Sequence, residues 1–509
     1  MKEKVTKEKI NNTLWKAADT FRGTIDSSVY KDYILVMLFL KYVSDVYKER
    51  KKEYEERYEN DQERVERALK RERFILEEDC TFDNLYNQRN ENNIGEIINM
   101  VLNKIEDENR TKLQGVFRNI DFNSESILGK TKDRNAMLKT LLIDFSELDL
   151  NPSNLIGDDI IGDAYEYMIA NFASDAGKKG GEFYTPTEVS ELLSRLVKPV
   201  ENDRIYDPTC GSGSLLLKAY NKVPNKKIQI YGQERNGQTH ALAIMNMFLH
   251  GVDDAKIEWG DTLSDPKHLE NDRLMKFQVI VANPPFSLDK WAKGFNHGTS
   301  DKEFKFEASM DKYNRFSLGV PPKGTGDYAF VLHMISSLAE DGRMAVVLPH
   351  GVLFRGSSEG KIRQQLIEMN LLDAVIGLPA NLFYGPSISA CVLIFKKNRL
   401  KKDVLFIDAS GDEHFEKGKN QNKLREKDIL KIIRTYETYE NQDKYSYVAT
   451  FDEIKGNGFN LNIPRYVDTF EEEEIVNLKD TRESIIKLKK DLVDVEEQME
   501  KYLKEMDIL

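Results

Sequence analysis

Phe277-Gln278-Val279-Ile280-Val281-Ala282-Asn283-Pro284-Pro285-Phe286 changes character halfway. Its first six residues form an almost continuous apolar run rich in β-branched side chains, the pattern of a parallel strand buried on both faces. The last four cannot extend that strand, because proline has no N–H for a sheet ladder and fixes φ. The segment therefore predicts a strand ending at Ala282 with a rigid turn at its carboxyl end. In open α/β sheets that is the end at which ligands bind.

Strand-like runs surround this one from about residue 152 onward. They fall at 204–207, 228–232, 256–258, 344–348, 374–378 and 390–395, alternating with helical stretches, and 404–407 reads as one more. The spacing suits βαβ units and a helix-covered parallel sheet. Between 378 and 390 a short Pro/Gly/Ser loop leaves no room for a helix, so the two strands beside it are expected to pair antiparallel and close one edge of the sheet. Residues 417–423 read as a polar, basic loop.

The rest of the chain has a different texture. Residues 1–150 read as helical. Asp26 or Ser27 can cap a helix whose apolar positions include Tyr33, Ile34, Met37, Leu38, Leu40 and Val43. Residues 47–73 alternate Glu with Lys and Arg, which predicts a solvated helix face rather than a nucleic-acid arm. Residues 470–509 contain neither Gly nor Pro. There Ile485, Leu488, Leu492, Val495, Met499, Tyr502, Met506 and Leu509 follow a heptad seam. Such a seam packs on the chain's own body or docks on another helix, in this chain or a partner. Three domains are expected: 1–150, 151–467 and 468–509.

Composition narrows the function classes. With 40% hydrophobic and 31% charged residues in 509, a folded globular protein is expected. No apolar secretory segment opens the chain, and residues 34–40 are too short a run to span a bilayer. Cys80, Cys210 and Cys391 lack paired spacing, which suits a reducing cytoplasm and no Cys-based zinc site. The seven histidines are scattered, so no metal is expected. A net charge of −12 argues against unaided DNA binding. It leaves a local basic channel, or a partner that supplies phosphate contacts.

The tetrapeptide has a chemistry of its own. The Asn283 side-chain oxygen and a carbonyl of the Pro284-Pro285 turn can each accept a hydrogen from an exocyclic amine. That keeps electron density on the nitrogen, ready to attack an electrophilic methyl group. Phe286 can stack on a flat extruded base. This is the equipment for methylating the amino group of an adenine.

A cofactor constellation precedes it. Asp207-Pro208-Thr209-Cys210-Gly211-Ser212-Gly213-Ser214 follows the first strand and opens a helix, and Gly211 and Gly213 let backbone pass close to a ligand. The third glycine of the dinucleotide pattern is missing, so a nucleoside with a cationic amino-acid tail, S-adenosylmethionine, fits better than a pyrophosphate. Glu234, at the end of the second strand, suits the ribose hydroxyls. Asp261, past the third, suits the adenine amine. Upstream, Glu182, Phe183, Tyr184, Thr185, Pro186 and Thr187 stand where a wall against the methionine end is expected, with Thr185 as helix cap and Pro186 at the first helical position. Residues 287–328 mix Lys290, Lys293, Lys302, Lys305, Lys312, Arg315 and Lys323 with Trp291, Phe295, Phe304, Phe306, Tyr313 and Phe316. The segment either meets nucleic acid or is a flexible excursion.

Taken together these segments resemble the γ-arranged amino-group DNA methyltransferases, and most closely the modification subunit of Type I restriction–modification systems. The resemblance also covers Leu14-Trp15-Lys16-Ala17-Ala18-Asp19, Tyr30-Lys31-Asp32-Tyr33 and residues 458–466. It implies an α/β fold: a Rossmann-like S-adenosylmethionine-dependent methyltransferase sheet with an N-terminal helical domain and a C-terminal long helix. It further implies adenine-N6 methylation of DNA, and two such chains assembled with one specificity subunit, joined by a restriction subunit in the full nuclease. The competing readings are a methyltransferase for glutamine amides or RNA, a non-catalytic cofactor-binding scaffold, and a methyltransferase with its own recognition domain.

Overall fold

The computed structural model describes residues 4–156, 159–176, 184–296, 298, 300, 304–383, 389–419, 421–469 and 478–506. Glu182, Phe183, Lys302 and Leu509 lie outside them. Two compact units are distinguished, residues 1–467 and 468–509.

The strands are β1 (Arg204–Asp207), β2 (Gln229–Glu234), β3 (Lys256–Trp259), β4 (Leu269–Glu270), β5 (Arg273–Leu274), β6 (Phe277–Ala282), β7 (Leu338–Pro349), β8 (Leu372–Gly377), β9 (Ala390–Lys396), β10 (Val404–Asp408) and β11 (Ser446–Ala449). Nine build one sheet in the order β11-β10-β8-β9-β7-β6-β1-β2-β3, and β4 and β5 form a separate hairpin. β1 pairs parallel with both β2 and β6, and β6 pairs parallel with β7. The order thus reverses between β1 and β6, where a crevice opens at the strands' carboxyl ends. β8 and β9 pair antiparallel as expected. They do not close an edge, however. β9 inserts between β7 and β8 and is antiparallel to both, while β11 takes that edge.

Alternation along each strand fills both faces. Phe277, Ile280 and Ala282 of β6 join a core with Tyr206, Met344 and Val346 on one side. Val279 and Val281 join one with Ile205, Ala345 and Val347 on the other. The described residues from 4 to 150 are mostly helical, and in the helix Ser27–Arg57 every residue from Ile34 to Leu40 is buried. The helical core takes in Ala241, Leu242, Met245, Phe248 and Leu249 of the helix Gly237–Leu249. Arg73 lies 4.0 Å over the Phe248 ring and is ion-paired with Asp253.

The second unit contains the helix Leu478–Glu505. Its seam residues, from Ile485 at 48% to Leu488 at 66%, are exposed. Among the described residues no helix is long and apolar enough to cross a membrane.

Candidate functional site

The loops after β1 and β6 meet because their strands are neighbours. After β1, Asp207 Oδ1 accepts from the Thr209 N–H at 2.9 Å, and the chain turns through Gly211 at φ +54° and Gly213 at φ +79°. A side chain at Gly213 would be strained there, and its Cβ would meet Met247 Cε at 2.7 Å. Asn246 Nδ2 donates to the Ser212 carbonyl at 3.0 Å, which fixes the turn to the helix Gly237–Leu249. Glu234 closes it from the other side. Its Oε2 accepts from the Gly211 N–H at 3.0 Å and its Oε1 from the Asn236 N–H at 2.7 Å.

Burial governs the acids here. Asp207 is 2% exposed, and burial, reinforced by the nearby Glu234 carboxylate, pushes its carboxyl up to about 8. Burial raises Glu234 too, against the N–H groups of Asn236, Gly211 and Arg235 that favour its charged form. A cation entering beside Asp207 supplies what this carboxyl lacks.

Tyr184, Thr185, Asp207, Gly211, Ser212, Ser214 and Asn283 line one pocket with Thr209, Cys210 and Leu215. Asn283 Nδ2 donates to Thr185 Oγ1 at 3.1 Å, which aims the amide. Asn283 Oδ1 is buried and accepts nothing from the described residues. An unmet buried acceptor costs roughly 1–3 kcal/mol and is a reason to look for a ligand. The Tyr184 hydroxyl lies 2.7 Å from Thr187 Oγ1.

Thr185 does not cap the helix. That helix spans Thr187–Val197, with Pro186 at the N-cap position and no side-chain cap bond. The Thr185 hydroxyl is taken by Asn283, a partner 98 residues away. Asp261 stands beyond the pocket and its Oδ1 accepts from the Leu263 N–H at 3.1 Å. Its neighbour Thr262 donates to the Pro208 carbonyl at 2.5 Å, joining the loop after β3 to the glycine turn.

Pro284 is buried and Phe286 half-buried. Phe286 meets Phe383 edge-on, with centroids 5.5 Å apart. Immediately after it, Ser287 sits at φ +51°, a conformation that costs a non-glycine residue about 1–3 kcal/mol. Asp327, 1% exposed, offsets that cost. Its Oδ1 accepts from the Ser287 N–H at 2.7 Å, and its Oδ2 from Arg355 Nη1 at 2.8 Å. Arg355 Nη2 reaches Ser287 Oγ at 3.2 Å.

Within residues 287–328 several of the described aromatics pack on one another. Trp291, Phe295 and Phe316 are buried, and Phe306 stands 5.0, 4.7 and 5.1 Å from their ring centroids respectively. Arg315 is not presented to solvent either. It is fully buried, paired with Asp311 at 2.7 Å, and donates to the Thr262 and Leu263 carbonyls at 3.1 and 2.5 Å. The flap is therefore riveted to the loop that carries Asp261.

Sequence reasoning missed Asp327, Arg355 and Phe383 as parts of the site. Asp327 reads locally as an ordinary acid in the first turn of the helix Asp327–Ser337. Arg355 carries no local signal. Phe383 had one, as an aromatic in the loop leaving the carboxyl end of β8.

Known proteins share this architecture. The pattern of the N-6 DNA methylase family matches residues 156–475, and that of the HsdM N-terminal domain matches residues 10–145. The Type I restriction enzyme MpnII methylase subunit of Mycoplasma pneumoniae is 35% identical over 95% of this chain and 94% of its own. The MjaVIII methylase subunit of Methanocaldococcus jannaschii is 34% identical over 99% and 86%. The crystal structure of a type I restriction-modification system methyltransferase subunit from Streptococcus thermophilus matches with a TM-score of 0.77 and 36% identity, covering 91% of this chain and all of that one.

Proposed function

The chain belongs to the N-6 DNA methylase family and, within it, to the methylase subunits of Type I restriction enzymes, and from that premise we propose how its residues methylate an adenine. It is a DNA methyltransferase, which sets aside the glutamine-amide and RNA readings. The observation that carries the mechanism is Asn283 Oδ1, a buried acceptor that no described residue meets, at the carboxyl end of β6 and lining the glycine-turn pocket.

The residues of that pocket, with Glu234 beside the glycine turn and Asp261 beyond it, suit S-adenosylmethionine by their chemistry. Asp207 is a buried carboxyl suited to the ammonium of the methionine tail, and Gly211 and Gly213 present backbone without side chains. Glu234 keeps lone pairs for ribose hydroxyls, and Asp261 serves the adenine amine. Tyr184, Thr185, Pro186 and Thr187 wall the methionine end, with Glu182 and Phe183 assigned by sequence alone. When bound, the cofactor supplies a methyl group made electrophilic by its positive sulfur.

Asn283 Oδ1 and the Pro284 carbonyl accept the two hydrogens of the target amine and hold its lone pair toward that methyl. Pro285 keeps the turn rigid. Phe286 stacks on the extruded base, with Phe383 as a second aromatic wall beside it. No enzyme nucleophile is needed, so positioning and fixed dipoles supply most of the rate.

In this reading residues 1–150 form a helical domain, 151–467 the catalytic domain and 468–509 a helix for subunit association. The partners are DNA, one specificity subunit per two copies of this chain, and a restriction subunit, all in the cytoplasm. The net charge of −12 supports a partner that supplies phosphate contacts. The test is methyl transfer from labelled S-adenosylmethionine to genomic DNA lacking the host's marks, with and without the co-encoded specificity protein. Label on adenine N6 only with the partner is expected. Label with this chain alone would show that it recognises DNA itself, and no label on DNA would overturn the reading.

A further inference from the structure

The flap holds a second cavity, of about 270 Å³, away from the glycine turn. Trp291, Phe304, Phe306, Val320 and Pro321 give it apolar walls. Lys290, Lys293, Lys305 and Lys323 stand around them. In a chain of net charge −12, four lysines on one apolar cavity are a local reversal of sign. All four are exposed, and neither Lys290 nor Lys305 is ion-paired with a described residue. The cavity is also built into the frame. The Lys290 N–H donates to the Lys323 carbonyl at 2.9 Å, Trp291 Nε1 to the Pro322 carbonyl at 2.8 Å, and the Gly326 N–H to the Leu288 carbonyl at 3.0 Å. Leu288 is two residues past Phe286, so the cavity is tethered to the catalytic turn.

The chemistry asks for a ligand that is flat and apolar in its body and anionic at its margin. The size lies just below the roughly 300–1,000 Å³ of small-molecule pockets, enough for one heterocycle and too little for a folded peptide segment. We propose that this cavity takes a nucleobase of the substrate DNA other than the target adenine, with the phosphates flanking that base on Lys290 and Lys305. It rests on the DNA-methylating role proposed above and adds a second grip beside the first.

Three variants of the complex with its specificity subunit test it: Phe304→Ala, Lys290→Ala/Lys305→Ala, and Lys290→Arg/Lys305→Arg. The readouts are DNA affinity by fluorescence anisotropy across a salt series, the KM for DNA, and cofactor affinity by calorimetry. Loss of one base stack should weaken DNA binding about 5- to 100-fold in Phe304→Ala. Loss of two phosphate contacts should make the slope of log affinity against log salt shallower by roughly 1.8, and the arginine pair should restore it. Cofactor affinity and subunit assembly should stay as in the unaltered complex. Unchanged DNA affinity and salt slope in the lysine pair would overturn the proposal. So would a loss confined to subunit assembly, which would make the cavity a protein interface. Anisotropy needs no methyl transfer, so the cavity and the catalytic reading can fail separately.

Discussion

Replacing Asp207 by Asn should make the protein more stable and less able to hold its cofactor. Asp207 is buried, and its carboxyl is raised from an ordinary 3.8 to about 8. A raised carboxylate means that the unfolded chain binds fewer protons than the folded one between these values. Stability from this group is therefore full below about pH 4 and lost as pH rises toward 8. At pH 7 the unfolded state gains about 4 kcal/mol by ionising, from 1.36 kcal/mol per unit over 3.2 units, and the folded state gains almost nothing. Asparagine keeps the acceptor for the Thr209 N–H and carries no charge, so Asp207→Asn is expected to recover up to that amount. For a unit of 467 residues this is on the order of 4 °C in Tm, since unfolding entropy scales with length. Near pH 5 the gain should shrink to under about 2 kcal/mol. Cofactor affinity should fall roughly 10- to 100-fold, the worth of a charge-assisted hydrogen bond. In the unaltered protein, cofactor binding at pH 7 should release close to one proton, read from calorimetry in buffers of different ionisation enthalpy. Melting curves at pH 5 and pH 8 decide the matter. A variant no more stable than the parent at pH 8, or a gap that does not grow with pH, refutes a neutral Asp207 in the free protein.

Asn283→Ala should bind cofactor within about twofold of the parent and lose roughly 100- to 1,000-fold in methyl transfer, and full activity would remove Asn283 from the chemistry. Gly213→Val, strained at φ +79° and driven against Met247, should abolish cofactor binding by calorimetry while the chain still folds. Asp327→Ala should lower kcat about tenfold or more with cofactor affinity unchanged, because Ser287 loses its acceptor. Asp327→Asn should recover part of it, and equal loss in both variants would count against a positioning role. Leu488→Asp with Leu492→Asp should leave the Tm unchanged and abolish co-purification with the specificity protein.

Much of the sheet was legible because burial on both faces writes long apolar runs, as in 277–282 and 390–395. β11 was not, since Ser446–Ala449 is four residues long and set among charges. The place of β9 inside the sheet was hidden because pairing order is a tertiary choice that loop length alone does not make. The glycine turn, Glu234 and the Asn283 turn were readable as local strand-end motifs. Thr185 was misjudged because its hydroxyl answers to Asn283 rather than to its own helix. Composition alone could not say that Arg315, Phe295 and Phe316 are buried inside the flap, because side chains facing DNA and side chains facing one another share a composition.

The helix Gly237–Leu249 has two masters. Phe248 packs 5.3 Å from Phe39 in the N-terminal core, while Asn246 and Met247 hold the glycine turn. Whatever steadies that turn must steady the helix, and the helix cannot fray without loosening both. Occupancy of the pocket and the opening equilibrium of the first 150 residues are thus thermodynamically linked. Saturating cofactor should slow amide exchange around Phe39, which does not line the pocket. Core substitutions that raise the open fraction should in turn weaken cofactor binding, with the chemistry at Asn283 untouched.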